Sequence, residues 1–187
     1  MISTFENCEN LYLFRIDGFD GSKIKSMHKL FFRTSLYFFN FISFNTENLE
    51  DISYMFSFTK IERFSLNGLN IQTVTNMSHL FEGCPSFVTF ETPNFETSHA
   101  KDISYMFSAC ISIKYIDLTP LNFKELINMS HVFQDCISLT NLYINNLDTS
   151  NVEDMSYLFD TCYSLKVVNI SNIDTRKVKN MSYVSPL

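Results

Sequence analysis

Every 25 or 26 residues this chain sets down a Met or Ile, and four residues after all but the last of them a Phe. The anchors are Met1, Met27, Ile52, Met77, Ile103, Met129, Met155 and Met181, and the rings are Phe5, Phe31, Phe56, Phe81, Phe107, Phe133 and Phe159. Self-similarity at such a period is the mark of a solenoid. Each repeat forms one coil that cannot bury its apolar edge alone and must stack on its neighbours.

Three further columns complete the coil. They run Leu11, Leu36, Ile61, Phe87, Ile113, Leu139, Leu165; then Phe14, Phe39, Phe64, Phe90, Ile116, Leu142, Val168; then Ile16, Phe41, Leu66, Thr92, Leu118, Ile144, Ile170. The last two columns are two residues apart, the period of a strand. This predicts about seven short parallel strands near 11–16, 36–41, 61–66, 87–92, 113–118, 139–144 and 165–170. On the other side of the coil, Val152, Met155 and Phe159 stand at i, i+3 and i+7, as do Val74, Met77, Phe81 and Leu126, Met129, Phe133. That spacing predicts a short helical or 3-10 turn, with Ser150 and Glu153 as a capping pair. The expected fold class is therefore an α/β solenoid: a single leucine-rich-repeat domain over residues 1–187, about seven coils of 25–26 residues, uncapped at both ends as in a fragment. At ~4.8 Å per coil the rod is roughly 30–35 Å long.

The repeat also explains the composition. The chain holds 20 Phe and no Trp, because the rings form a ladder; burying each contributes on the order of 3–5 kcal/mol relative to Ala, and in-line rings meet in offset stacks. With only four Gly and four Pro, it must turn on Asn, Asp, Ser and Thr, whose side chains bond nearby backbone. The formal net charge of −6 argues against a nucleic-acid partner, which calls for a basic face. Leu30–Phe44 is interrupted by Arg33, Thr34, Ser35 and Asn40, so no ~18-residue apolar span and no membrane insertion is expected. Met1–Phe19 carries Glu6, Glu9, Arg15 and Asp17 and does not read as a signal peptide.

The clearest copy, from Asp148 to Ile170, follows D-T-S-x-V-x-D-M-S-Y-L-F-x-x-C-x-S-L-x-x-Φ-x-I. This pattern resembles the BspA-like leucine-rich-repeat surface protein family, and a weaker form covers essentially the whole chain. The resemblance implies a solenoid used in adhesion or recognition, often at a cell surface, and no catalytic residues. Two coils depart from it: those at Met27 and Ile52 are one residue shorter and carry Thr34 and Thr59 where the others have Cys. The location expected is the cell surface or secreted if the chain is part of a longer exported protein, and cytoplasmic if it is complete.

Several residue columns hold groups capable of chemistry. Cys84, Cys110, Cys136 and Cys162, with Cys8, share one column. A column spreads its thiols along a rod, Cys84 and Cys162 ~14 Å apart, instead of converging them as tetrahedral zinc requires; buried free thiols are the expectation. His79 and His131 alternate with Tyr54, Tyr105, Tyr157 and Tyr183 in a half-exposed aromatic slot. Asp51, Asp102 and Asp154 alternate with Asn76, Asn128 and Asn180 and read as caps before a helical turn in preference to calcium ligands. The Asn-x-Ser sequons at Asn76, Asn128, Asn169 and Asn180 follow from the repeat itself. No catalytic residue, cofactor or metal ligand is expected.

What remains is the outward side of the strands. Its columns vary from coil to coil and hold Tyr12, Arg15, Tyr37, Phe38, Arg63, Tyr115 and Tyr143, aromatic and Arg residues of the kind enriched in interfaces. The function expected is a binding or adhesion module for a protein or glycan, centred on Tyr12, Tyr37, Phe38 and Arg63 of the N-terminal half. An intracellular protein–protein interaction scaffold is the alternative. The chain is expected to be a monomer or one segment of a longer array.

Overall fold

The computed structural model describes residues 1–64, 68–90, 96–145 and 147–185. The expected column positions Ser65, Leu66, Glu91 and Thr92 and the last residues, Pro186 and Leu187, lie outside the described residues. The chain winds as a parallel β-solenoid of about six turns. Seven strands occur among the described residues: β1 (Leu13–Asp17), β2 (Phe38–Ile42), β3 (Arg63–Phe64), β4 (Thr89–Phe90), β5 (Tyr115–Asp117), β6 (Asn141–Tyr143) and β7 (Val167–Asn169). They pair in parallel as β1-β2, β3-β4 and β5-β6-β7. The register follows the columns, with Phe14 opposite Phe39, Phe64 opposite Phe90, and Ile116, Leu142 and Val168 in line.

The inward columns meet in a dry interior. Phe31, Phe56, Phe81, Phe107 and Phe133 are completely buried, as are Leu36, Ile61, Phe87, Ile113 and Leu139. The ring column forms a continuous stack: successive centroids from Phe5 to Phe159 lie 5.7, 5.6, 6.0, 5.7, 6.0 and 6.0 Å apart. At these separations, offset-stacked rings attract beyond what burial alone supplies.

The helical turns expected on the opposite side are not formed, and no helix occurs among the described residues. In an α-helix each N–H bonds four residues back along its own chain. Here the N–H groups of Ile103, Tyr105, Phe107 and Ala109 donate to the next coil, at Asn128, Ser130, Val132 and Gln134, over 2.8–3.0 Å. The N–H groups between them, of Met106, Ser108 and Cys110, reach back three residues to Ile103, Tyr105 and Phe107 at 3.1 Å. Two residues per coil hold this alternation by taking left-handed backbone angles, here Tyr105 and Ala109, both at φ 57°. The same pair recurs at Tyr54 and Phe58, His79 and Gly83, His131 and Asp135, and Tyr157 and Thr161. A non-glycine residue in that region costs roughly 1–2 kcal/mol, an expense offset by the hydrogen bonds to the neighbouring coil. Val152, Met155 and Phe159 still point inward, because a run of turns satisfies the same spacing.

The Asp/Asn column is corrected in the same way. Asp51, Asn76, Asp102, Asn128, Asp154 and Asn180 accept from the N–H two residues on, at 2.8–3.2 Å. These are Asx turns, not helix caps. A chain of parallel bridges links the column from Ser26 through to Asn180, so this side is tied coil to coil throughout. The Ser150–Glu153 capping pair is also absent: Ser150 N–H bonds Asp148 at 3.0 Å and Glu153 pairs with Lys179 at 2.8 Å.

Candidate functional site

Because backbone bonds and inward side chains hold each coil to the next, the outward side chains of the strands are left free. The strand pleat turns Phe14 and Ile16 inward and Leu13 and Arg15 outward. Tyr12, Leu13, Tyr37 and Phe38 form one patch on two adjacent coils: Tyr37 N–H donates to the Tyr12 carbonyl at 3.1 Å, and Leu13 lies opposite Phe38. Their exposures are 50, 54, 56 and 45%, large for neighbouring apolar residues on an outer surface. Arg15 is exposed opposite Asn40, and Arg63 is exposed opposite Thr89. The structure therefore brings Tyr12, Arg15, Tyr37 and Phe38 together at the N-terminal strands and places Arg63 on the next coil, in β3.

Tyr115 and Tyr143 stand apart, on β5 and β6. Their rings are 5.5 Å apart and tilted by 41°. Partial burial raises the Tyr115 hydroxyl above its ordinary range, with the Asp117 carboxylate and the Tyr143 hydroxyl adding to the effect. The phenol thus stays neutral and able to donate a hydrogen bond.

In the cysteine column, Cys84, Cys110, Cys136 and Cys162 are buried and none is bridged by a disulfide. Each thiol donates to a ring-column carbonyl of the preceding coil: Cys84 to Phe56 at 3.0 Å, Cys110 to Phe81 and Cys136 to Phe107 at 3.1 Å, and Cys162 to Phe133 at 3.0 Å. In the shorter coils, Thr34 and Thr59 bond the Phe carbonyl of their own coil, at 2.9 and 2.7 Å. Burial pushes the Cys84 thiol up to about 11 and the Cys162 thiol up to about 12, and raises Cys110 and Cys136 as well. These thiols are poor nucleophiles. Cys8, in the first coil, is exposed. Among the described residues, no group of three His, Cys, Asp or Glu stands placed to hold a metal ion, and no helix is long and apolar enough to cross a membrane.

Two surface features escaped the reading of the sequence. The first is a second ring ladder: Tyr54, His79, Tyr105, His131, Tyr157 and Tyr183 stack at 4.0, 4.5, 4.2, 4.6 and 4.7 Å. His79 bonds Glu82 at 2.9 Å and His131 bonds Gln134 at 2.8 Å. Each imidazole is held between two phenol rings, an arrangement that orders the turn side. The alternation of Tyr with His was visible in the sequence; the stacking was not. The second is a ridge of Pro85, Ile111, Ile137 and Tyr163, one per coil and all exposed. Its signal was the one-residue difference in coil length: two residues separate Cys from the next buried column in these coils, and one does so at Ser35 and Lys60.

Among solved structures, the chain is similar to a leucine-rich cell surface protein from Faecalibacterium prausnitzii, at 15% identity and a TM-score of 0.42, over 99% of this chain and 66% of that one. Among curated proteins none matches. The repeat columns, the ring ladder and the Asx turns recur through two overlapping stretches, residues 1–116 and 101–185, that match one family profile, and the chain belongs to that family, described as Mycoplasma protein of unknown function, DUF285, a repeat family of the BspA type.

Proposed function

We propose that this chain is a non-enzymatic binding module that recognises a protein or glycan through the outward side of its strands. The observation that carries this reading is the patch on β1 and β2: Tyr12, Leu13, Tyr37 and Phe38 expose rings and an aliphatic side chain side by side, while the core closes without them. Arg15 and Arg63 border the patch. Aromatic and Arg side chains carry most of the energy when such a surface is covered, and flat rings also stack on the apolar faces of sugars. Tyr115 and Tyr143 form a second, smaller contact farther along the rod. The BspA-like character of the repeat supports placing this module at a cell surface.

The test is binding of the purified chain to a glycan array and to a panel of immobilised extracellular glycoproteins, beside the double variant Tyr37→Ser, Phe38→Ser. The variant is expected to melt like the parent and to lose at least about tenfold in affinity for whatever the parent binds. Equal binding by a folded variant places recognition elsewhere. An unfolded variant shows that the two rings belong to the core.

A further inference from the structure

From Cys84 onward, each coil carries one residue more than the coils at Met27 and Ile52, inserted between the buried thiol and the next buried column. In three consecutive coils the chain makes room for it by a tight turn in which the N–H bonds a carbonyl two residues back: Ile111 to Ala109 at 3.0 Å, Ile137 to Asp135 at 2.8 Å, and Tyr163 to Thr161 at 2.9 Å. The inserted side chains are apolar and point outward, with Ile111 42%, Ile137 44% and Tyr163 70% exposed. Pro85 extends the line by one coil. The result is a straight apolar ridge ~15 Å long at the coil spacing. In the first coil the same insertion holds Glu9, so neither the turn nor the repeat demands an apolar residue there.

The two flanks of the ridge carry opposite charge. Toward the strands, three residues on from Ile111 and Tyr163, stand the exposed Lys114 and Lys166. Toward the turn side stand Asp135, Asp160 and Glu82, all partly exposed. We propose that this ridge pairs with the same ridge of a second copy of the chain, the two solenoids lying side by side about a two-fold axis parallel to their length. Such an axis sets the basic flank of each copy against the acidic flank of the other, with Lys166 opposite Asp160. A two-fold axis running across the solenoids instead sets basic flank on basic flank. A surface that meets its own copy must be self-complementary under the symmetry that relates them, and only the parallel arrangement makes this one so. The ridge is narrow beside the interfaces of permanent dimers, so the pairing is weak and concentration-dependent. It revises the expectation of a monomer and leaves the patch on β1 and β2 open for a partner.

Sedimentation equilibrium over a wide range of loading concentration tests it, with thermal melts confirming that every variant is folded. The parent is expected to show a monomer–dimer equilibrium. Ile111→Ser with Ile137→Ser should abolish the dimer. Lys166→Glu should weaken it roughly tenfold, and adding Asp160→Lys to that variant should restore it. A parent that is monomeric at every concentration overturns the proposal, as does a dimer that survives the double Ser change. Growth into longer species that survives it points to stacking through the end coils and also overturns the proposal. Failure of the charge swap to restore pairing overturns the parallel arrangement.

Discussion

In the first four coils the strand column that faces the ring stack is aromatic, Phe14, Phe39, Phe64 and Phe90; in the last three it is aliphatic, Ile116, Leu142 and Val168. Several of the N-terminal rings stand edge-on to the stack. Phe14 meets Phe31 at 4.8 Å and 62°, Phe64 meets Phe81 at 4.5 Å and 69°, and Phe90 meets Phe107 at 4.9 Å and 75°. In the C-terminal half, the ring stack continues between Phe107, Phe133 and Phe159 against branched aliphatic neighbours, and β5, β6 and β7 form one three-stranded sheet. The thiols divide unevenly too: the shorter coils carry Thr34 and Thr59, while the buried cysteines begin at Cys84. One backbone scaffold thus accepts two core chemistries, and each half shows a different surface, aromatic on the strands in one and a ridge at the turn in the other. A solenoid can differ in this way along its length because each coil answers only to its immediate neighbours.

The largest effect expected from this comparison is in the ring stack. Phe107→Ala should destabilise the chain by about 3–5 kcal/mol in denaturant melts. The halves separate when smaller changes are matched: Phe81, with Phe64, Phe87 and Phe90 around it, should lose about 1 kcal/mol more on change to Leu than Phe133, which meets rings only along the stack among its described contacts. Equal losses break the distinction between an aromatic and an aliphatic half.

Alkaline pH should act on one half before the other. Burial raises the thiols of Cys84, Cys110, Cys136 and Cys162 above the ordinary value of 9.0. Below that value both folded and unfolded chains hold these protons. As pH climbs from 9.0 toward 11 and 12, the unfolded chain releases protons that the folded one retains, so stability falls with pH. Hydrogen exchange across that window should show amide protection lost from Cys84 onward while the coils of Thr34 and Thr59 keep theirs. Uniform loss contradicts the assignment.

A smaller effect is expected at the outer ladder. Tyr105 stacks between His79 and His131 but remains partly exposed, so Tyr105→Ala should cost on the order of 1 kcal/mol, well below Phe107→Ala, two residues away. A loss matching that of Phe107→Ala would mean that the outer ladder, too, behaves as core.

The inward columns were legible because a buried position accepts few side chains: Phe, Met, Ile and Leu recur at fixed spacing, and among the described residues the structure buries them from Met27 to Cys162, Phe39 and Phe90 only partly. The strand phase was legible for the same reason, since β1 to β7 fall within the expected windows except for one residue each at Asp17 and Ile42. The turn side was misread because Val152, Met155 and Phe159 satisfy both a helix and a string of turns. What decides between them is a left-handed residue at Tyr157 and Thr161, and neither residue type announces that conformation. The apolar ridge left little trace in the sequence, because its position tolerates Glu9 as well as Ile111, Ile137 and Tyr163 and belongs to no buried column. The outward Tyr, Phe and Arg columns could be placed on a surface, but no periodicity names what a surface binds.

NMR of the backbone around Tyr105 and Ala109 distinguishes coils joined through alternating turn and inter-coil hydrogen bonds, without helix among the described residues, from helical ones. Positive φ is expected at both residues, read from scalar couplings and strong intraresidue amide–α contacts, with the Phe107 amide protected by Val132 of the next coil. Negative φ at both, with amide–amide contacts running unbroken from Ile103 to Cys110, would restore the helix and overturn the turn-by-turn backbone.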